Sequence, residues 1–377
     1  MLIKNARIVN PWGETLADIL IQNSKIKKIG ESLTANGVEK VNVDGDMVFP
    51  GFIDIHIHGG GGADVLDEDE EAINTISKAC AEHGVTGFLA TTFYKIGQEN
   101  KHLEAVLKRV SKGLDGARFL GFHLEGPFIS KHRKGGIRDS SICNPSLSVL
   151  SNIMDKCKNW LRMMTIAPEL EGSEEVIKIL LEKGVVVSFG HSSADYEQTL
   201  QAIKMGVKHV THLFNAMPSI HHRAPGPPLA IFESKDVTVQ IISDGAHIHP
   251  SMIRFTVNIL GDDRIILITD GVRSTGLPDG KYVYDGIDYI SVNGTARFID
   301  GRLIGTSAGM NELARRFLDY TRLPLSSVAK TASLNPAKLL GIHEQKGSIE
   351  EGKDADLVVI GEDFKVHMTL IEGKRIN

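Results

Sequence analysis

The stretch Phe52-Ile53-Asp54-Ile55-His56-Ile57-His58-Gly59 decides how the rest of the chain is read. Successive side chains of a strand point to opposite faces, so Ile53, Ile55 and Ile57 share one face while Asp54, His56 and His58 share the other. Two imidazoles two residues apart on one strand face can reach the same ion. The spacing alone serves a pair of hydrogen-bonded core histidines equally well, because a single His-x-His is a short motif. The run Gly59–Gly62 that follows lets a crowded loop pass close to a ligand, or is simply a flexible connection.

Outward from this strand (52–58), apolar runs alternate with amphipathic ones. Strands are predicted at 87–93, 118–125, 161–167, 185–190, 209–213, 237–243 and 264–269. Helices are predicted at 70–82, 103–114, 148–157, 174–183, 196–205 and 250–260, with Gly84, Gly184 and Gly206 placed as left-handed caps. Eight strands alternating with helices favour a closed (β/α)8 barrel over the runner-up, a doubly wound open sheet. A hairpin-like excursion (282–303) and a helix (311–321) follow the eighth strand. Short apolar runs at 2–9, 19–21, 26–29 and 41–43, and again at 356–360 and 368–371, make both ends β-rich. The expected division is a small β domain from residues 1–50 plus 344–377 and a catalytic barrel over 51–343.

Composition agrees with a large folded protein and excludes other classes. The 377 residues are 42% hydrophobic and 24% charged, which rules out wholesale disorder. Lys and Arg total 42 against 47 Asp and Glu, a net charge of −5 with no basic stripe, so no nucleic-acid partner is expected. No uninterrupted apolar run is long enough for a membrane span, and the amino terminus has no signal-peptide pattern. Cys80, Cys143 and Cys157 form neither a disulfide framework nor a zinc knuckle, which points to the cytoplasm.

In such barrels function lies at the carboxyl ends of the strands. Those ends carry His56 and His58, Glu125, His191, His212, Asp244 with His247, and Asp270. Each histidine taken singly reads as an ordinary structural residue. Several histidines with one carboxylate, all at strand ends, point instead to a divalent transition metal such as Zn, Fe or Mn. A carboxylate at a buried strand end, as at Glu125, is costly unless it meets a cation or several donors. Asp270, in ILITDG, is placed to take a proton from an activated water and pass it to a leaving amine, although Asp-Gly is also a turn signal. His123 reads as packing or support. His83, His102, His132, His221, His222, His249, His343 and His367 read as surface positions.

FPGFIDIHIHGGGG (49–62), HLEGPFIS (123–130), GHSSA (190–194), THLFNAM (211–217), SDGAHIHP (243–250), ITDG (268–271) and GSIEEGKDADLVV (347–359), in this order, resemble the N-acetylglucosamine-6-phosphate deacetylase family of the amidohydrolase superfamily. The resemblance implies a cytoplasmic, metal-dependent barrel with a small β-sandwich made by both termini. It implies hydrolysis of N-acetylglucosamine 6-phosphate to glucosamine 6-phosphate and acetate, in amino-sugar metabolism. By it, Glu125, His191 and His212 match the principal metal site and His56 and His58 a second, so one or two ions per subunit are expected. Asp270 matches the catalytic acid/base. Asn215, Ala216 and His247 match substrate contacts, and Gly136, Leu303, Ile304 and Gly305 match loops over the sugar. Arg223 matches an arginine that reaches the phosphate in a neighbouring subunit, which implies a homodimer. One departure stands out. Where many members carry a histidine that polarises the acetyl carbonyl, this chain has Ile137. The metal acting alone, a substitute such as Arg138, or a different substrate are the three readings. Alternative activities are N-acetylgalactosamine-6-phosphate deacetylation and another amidohydrolase-type amide hydrolysis. The strand-4 end, TIAPE (165–169), lacks the lysine that bridges two metals in some related enzymes.

Overall fold

Phe52–Ile57 is buried on both faces along its whole length, the environment of a parallel strand covered on each side. In the computed structural model, which describes residues 1–377, this strand (β1) opens an eight-stranded parallel sheet. The others are β2 (Val85–Thr92), β3 (Arg118–Glu125), β4 (Leu161–Ile166), β5 (Val186–Phe189), β6 (His209–Val210), β7 (Thr238–Ile241) and β8 (Ile265–Leu267). They pair strictly in chain order. The two ends of the sheet meet where Ile57 bridges Gly271 in parallel, Asp270 N donates to His56 O (2.8 Å) and His58 N donates to Gly271 O (2.8 Å). The sheet is therefore a closed barrel, as the count of strands favoured.

The helices around it are α1 (Glu70–Glu82), α2 (Lys101–Ser111), α3 (Leu147–Cys157), α4 (Ser173–Glu182), α5 (Tyr196–Met205), α6 (Gly226–Glu233), α7 (Pro250–Leu260) and α8 (Met310–Thr321). Asp69 caps α1, and Asp195 with Gln198 forms a reciprocal capping box on α5. The sequence pattern missed α6, whose Gly-Pro-Pro opening resembles a loop but suits the first turn of a helix, where prolines lack no useful N–H. Strands β5, β6 and β8 stop earlier than their apolar runs predict. At those ends His191, His212 and Asp270 adopt positive φ (48°, 27° and 49°), which turns the chain out of the ladder.

Both termini build a second eight-stranded sheet, in the order 374–375, 366–371, 357–360, 47–50, 2–10, 13–22 and 25–30, with 40–42 beside 2–10. Residues from opposite ends of this order, such as Ile26 and Met368, share one core of 15 residues, so the sheet folds over on itself. Strand alternation divides its central strands between two cores. Val48, Leu357 and Val359 face this small core, while Met47, Phe49, Val358 and Ile360 join the main core of the barrel.

The excursion after β8 is a four-stranded antiparallel sheet: β9 (Gly280–Tyr284), β10 (Ile287–Val292), β11 (Thr295–Phe298) and β12 (Leu303–Thr306). Thr306 N donates to Asp270 O at 2.9 Å, which ties β12 to the end of β8. Gly305, with φ +146°, passes so close that a Cβ would lie 2.3 Å from the Asp270 carbonyl oxygen. Gly305→Ala is therefore expected to cost about 1–3 kcal/mol in backbone strain, plus displacement of Asp270. A lower urea midpoint together with reduced turnover checks this.

Candidate metal centre and active site

Five metal-type ligands converge at the barrel mouth, all buried. Glu125 Oε1, from the end of β3, lies 3.0 Å from both His191 Nε2 and His212 Nε2, and these two nitrogens are 3.0 Å apart. On the other side of the same carboxylate, His58 Nε2 is 3.4 Å from Glu125 Oε2 and His56 Nε2 is 3.6 Å from Oε1. The nitrogens of His56 and His58 are 3.3 Å apart, and Asp270 Oδ1 is 3.5 Å from each. Glu125 thus stands between two triads, His56–His58–Glu125 and Glu125–His191–His212.

The donor set fits a divalent transition metal. Imidazole nitrogens aimed at one another at such distances repel unless a proton or a cation lies between them, and nitrogen with one carboxylate oxygen is the ligand mixture such ions take. The electrostatics agree. Burial works to raise the Glu125 pKa, yet His191 and His56 hold it well below the carboxylate range. Burial works to lower His58 and His191, yet the Glu125 and Asp270 carboxylates leave both raised. At His56 burial prevails and lowers its pKa to about 4. His191, His212 and Asp270 meet there on left-handed backbone, a conformation that non-glycine residues keep only where the surroundings force it.

A ring of supporting groups orients these ligands. Gln240 Oε1, on β7, is 2.9 Å from His56 Nδ1 and accepts from His212 N at 3.2 Å, while its Nε2 is 3.0 Å from His209 Nε2. One side chain thus steadies a histidine of each triad. His123 spans Thr91 Oγ1 (3.1 Å) and Thr165 Oγ1 (2.8 Å), with its ring 4.7 Å from that of His56. It bears on His56 as support, in line with its reading from sequence. His191 Nδ1 faces Arg133 O at 2.7 Å. Asp54 accepts from Thr269 Oγ1 and His56 N, and burial pushes it up to about 7. Burial also lowers His209 to about 3 and His123 well below 6.5, so both are neutral scaffolding. Gln240 and His209 were not singled out from sequence. The only signal for Gln240 is a polar residue inside the apolar run Val237–Ile242. His102, read as a surface residue, is buried, with Nε2 3.2 Å from Phe93 O, because α2 turns that position onto the barrel.

A cavity of about 150 Å³ opens above the ligands. Of the residues matched to substrate contacts, Gly136, Asn215, Ala216, His247, Leu303 and Ile304 line it. Gly305 and Arg223 do not. Gly305 packs on Asp270, and Arg223 lies on an exposed loop with Nη1 2.7 Å from His222 Nε2. His247 Nδ1 is 2.7 Å from Asp244 Oδ2. Burial would raise Asp244, but His247 and the backbone N–H groups of His247 and Ala246 bring it below its usual value. Ile137 is buried in the cavity wall, and its neighbour Arg138 turns away, with Nε 3.0 Å from Asp285 Oδ2. Arg138 is therefore not a substitute for a carbonyl-polarising group. Tyr284 lines the cavity at 3% exposure and was missed from sequence, where it looks like an ordinary hairpin residue. Burial raises its pKa well above 10.

Compared with known proteins, residues 47–376 match the amidohydrolase family. The chain is 37% identical to the N-acetylglucosamine-6-phosphate deacetylase of Bacillus subtilis (strain 168), over 87% of this chain and 84% of that protein. It is 31% identical to the N-acetylgalactosamine-6-phosphate deacetylase of Escherichia coli O157:H7, over 88% of each. Among solved structures, the N-acetylglucosamine-6-phosphate deacetylase of Thermotoga maritima superposes with a TM-score of 0.89 at 32% identity, covering 100% of this chain and 99% of that one. A mutant of the Mycobacterium smegmatis enzyme in complex with N-acetyl-D-glucosamine-6-phosphate superposes with a TM-score of 0.91 at 31% identity, covering 100% and 99%.

Because Gln240 holds a histidine of each triad, Gln240→Leu is expected to weaken transition-metal affinity about 10–100-fold with the fold intact. Chelator competition followed by metal analysis, alongside circular dichroism, measures this.

Proposed function

Since the chain belongs to the amidohydrolase family, we propose that it hydrolyses the acetamide bond of N-acetylglucosamine 6-phosphate, releasing acetate and glucosamine 6-phosphate. The observation that carries this reading is the shared Glu125 carboxylate with four imidazole nitrogens around it and Asp270 facing the same cavity. Glu125, His191 and His212 would hold a divalent transition metal (Zn, Fe or Mn), and His56 and His58 with Glu125 a second. When bound, such an ion supplies Lewis acidity toward the amide oxygen and makes water a nucleophile near neutral pH.

The remaining work falls to side chains. Asp270 accepts the proton of the attacking water as the C–O bond forms. It returns that proton to the amide nitrogen as the C–N bond breaks, so the nitrogen departs as a neutral amine. The bond from Asp270 N to His56 O and the bond from Thr306 N to Asp270 O hold this carboxylate in place. His247 keeps its Nδ1 proton on Asp244, which leaves Nε2 free to accept from a sugar hydroxyl. Asn215 and Ala216 contact the sugar, and Gly136, Leu303, Ile304 and Gly305 shape or support the loops over it. No Lys or Arg lines the cavity, so the phosphate needs a cation from elsewhere. Arg223, exposed on its loop, is assigned that role in the site of a neighbouring subunit. In support of a homodimer, the nearby α7 leaves Met252, Phe255 and Ile259 exposed along one face. Three free cysteines suit a reducing cytoplasm.

Asp270→Asn is expected to lower kcat about 10³-fold with metal content unchanged; near-normal turnover would remove the proton-transfer role. A second reading, action on the galacto epimer, is favoured by the 31% identity to a relative of that name. Side-by-side kcat/KM values on the two epimers decide between them, with the gluco epimer expected to lead by at least about tenfold. Acetate release from neither epimer, by metal-replete protein, would leave only another amide as substrate.

A further inference from the structure

Two side chains lining the cavity carry a polar atom with no partner in the protein: the Nδ1 of His212, which is closed off, and the hydroxyl of Tyr284, a donor open to the cavity. The histidines and Glu125 engage one another, Asn215 Nδ2 is held by the carbonyls of His212 and Leu213, and His247 is held by Asp244. The Tyr284 hydroxyl makes no hydrogen bond within the protein, although the side chain is 3% exposed and lines the cavity. The side chain is buried, but its hydroxyl oxygen stays accessible from the cavity, where a ligand can accept its hydrogen bond.

The phenol is held rigidly. Its ring lies edge-on to His58 (centroids 6.0 Å apart, planes at 86°) and 6.3 Å from both Phe93 and Phe298. Tyr284 ends β9 next to the tight turn Asp285-Gly286, where both residues have positive φ (45° and 74°). That turn is pinned to two other loops of the barrel mouth. Asp285 Oδ1 accepts from Lys95 Nζ at 3.2 Å, and Arg138 pairs with the Asp285 carboxylate and donates to its carbonyl oxygen. Ile137 and Tyr284 belong to the same apolar cluster. The segment that presents an inert side chain to the cavity thus also clamps the turn that presents a phenol.

Resting on the deacetylase reading, we propose that Tyr284 is a catalytic residue that donates a hydrogen bond to the acetamide carbonyl oxygen and to the oxyanion it becomes. Its position against His58 places it at the ligand-bearing end of the cavity, where the acetamide must sit for Asp270 to reach the nitrogen. A neutral phenol gives a fixed donor there without delivering a proton, and a donor aimed at developing negative charge acts mainly on the transition state. It fills the need that Ile137 leaves open.

The test is Tyr284→Phe in the metal-replete full-length protein. Expected results are a fall of about 100-fold in kcat with little change in KM, metal content or melting temperature. Calorimetry with a phosphonamidate mimic of the tetrahedral centre should show binding weaker by about the same factor, while glucosamine 6-phosphate, which lacks the acetyl group, binds as to the wild type. Ile137→His added to Tyr284→Phe should recover part of the lost kcat. Turnover within threefold of wild type overturns the proposal, as does an equal loss of affinity for glucosamine 6-phosphate, which marks a sugar contact. A wild-type protein that releases no acetate from either epimer overturns the deacetylase reading itself, and the proposal with it; an active wild type beside an unaffected variant overturns only the assignment of Tyr284.

Discussion

The Glu125 carboxylate, buried at the foot of the cavity and ringed by imidazoles, is the constraint around which the molecule is organised. A buried carboxylate is tolerated only where positive charge or strong donors meet it. Here the nearest nitrogens come from β1 and from the turns after β5 and β6, so strands far apart in sequence must end at one level of the barrel. The seam that closes the barrel belongs to the same group of residues. The backbone bond between Asp270 and His56 joins the last strand to the first, and the side chains of both residues face Glu125 or its ligands. The same residues close the barrel and face the site.

The local backbone bears the cost of this arrangement. His191, His212 and Asp270 each leave their strand through a left-handed conformation that costs about 1–3 kcal/mol. Compensation comes from elements of no chemical interest in themselves. Gln240 takes the free nitrogen of His56 and the backbone of His212, Asp54 holds Thr269, and Gly305 lets β12 lie directly on Asp270. Removing such a group disturbs a ligand it does not resemble.

Much of this was legible in the sequence, for identifiable reasons. The alternation in IDIHIH and the spacing of apolar runs report local period, which depends only on neighbours in the chain. The barrel rule then located Glu125, His191, His212 and Asp270, because strand ends can be read from where an apolar run stops. The rest depended on register between distant strands. Gln240 is unremarkable until β7 is set beside β6, and His102 reads as a surface position until α2 is rotated onto the barrel. Tyr284 could not be told from its exposed neighbour Val283, because which face of a four-stranded sheet meets the cavity follows from how the sheet docks. Arg138 was within reach of the vacant role beside Ile137 by sequence position alone, and the turn at Asp285 takes it elsewhere.

The division of the terminal strands between two cores also bears on synthesis. Val358 and Ile360 lie in the main core beside Phe49 and Phe52, yet about 300 residues of chain separate the two groups. As the polypeptide emerges from the ribosome, the barrel strands and the ligand-bearing turns are all present well before the last strand that seals this corner. The nascent barrel must wait with an open apolar edge until Leu357–Ile360 has been made and has left the ribosome.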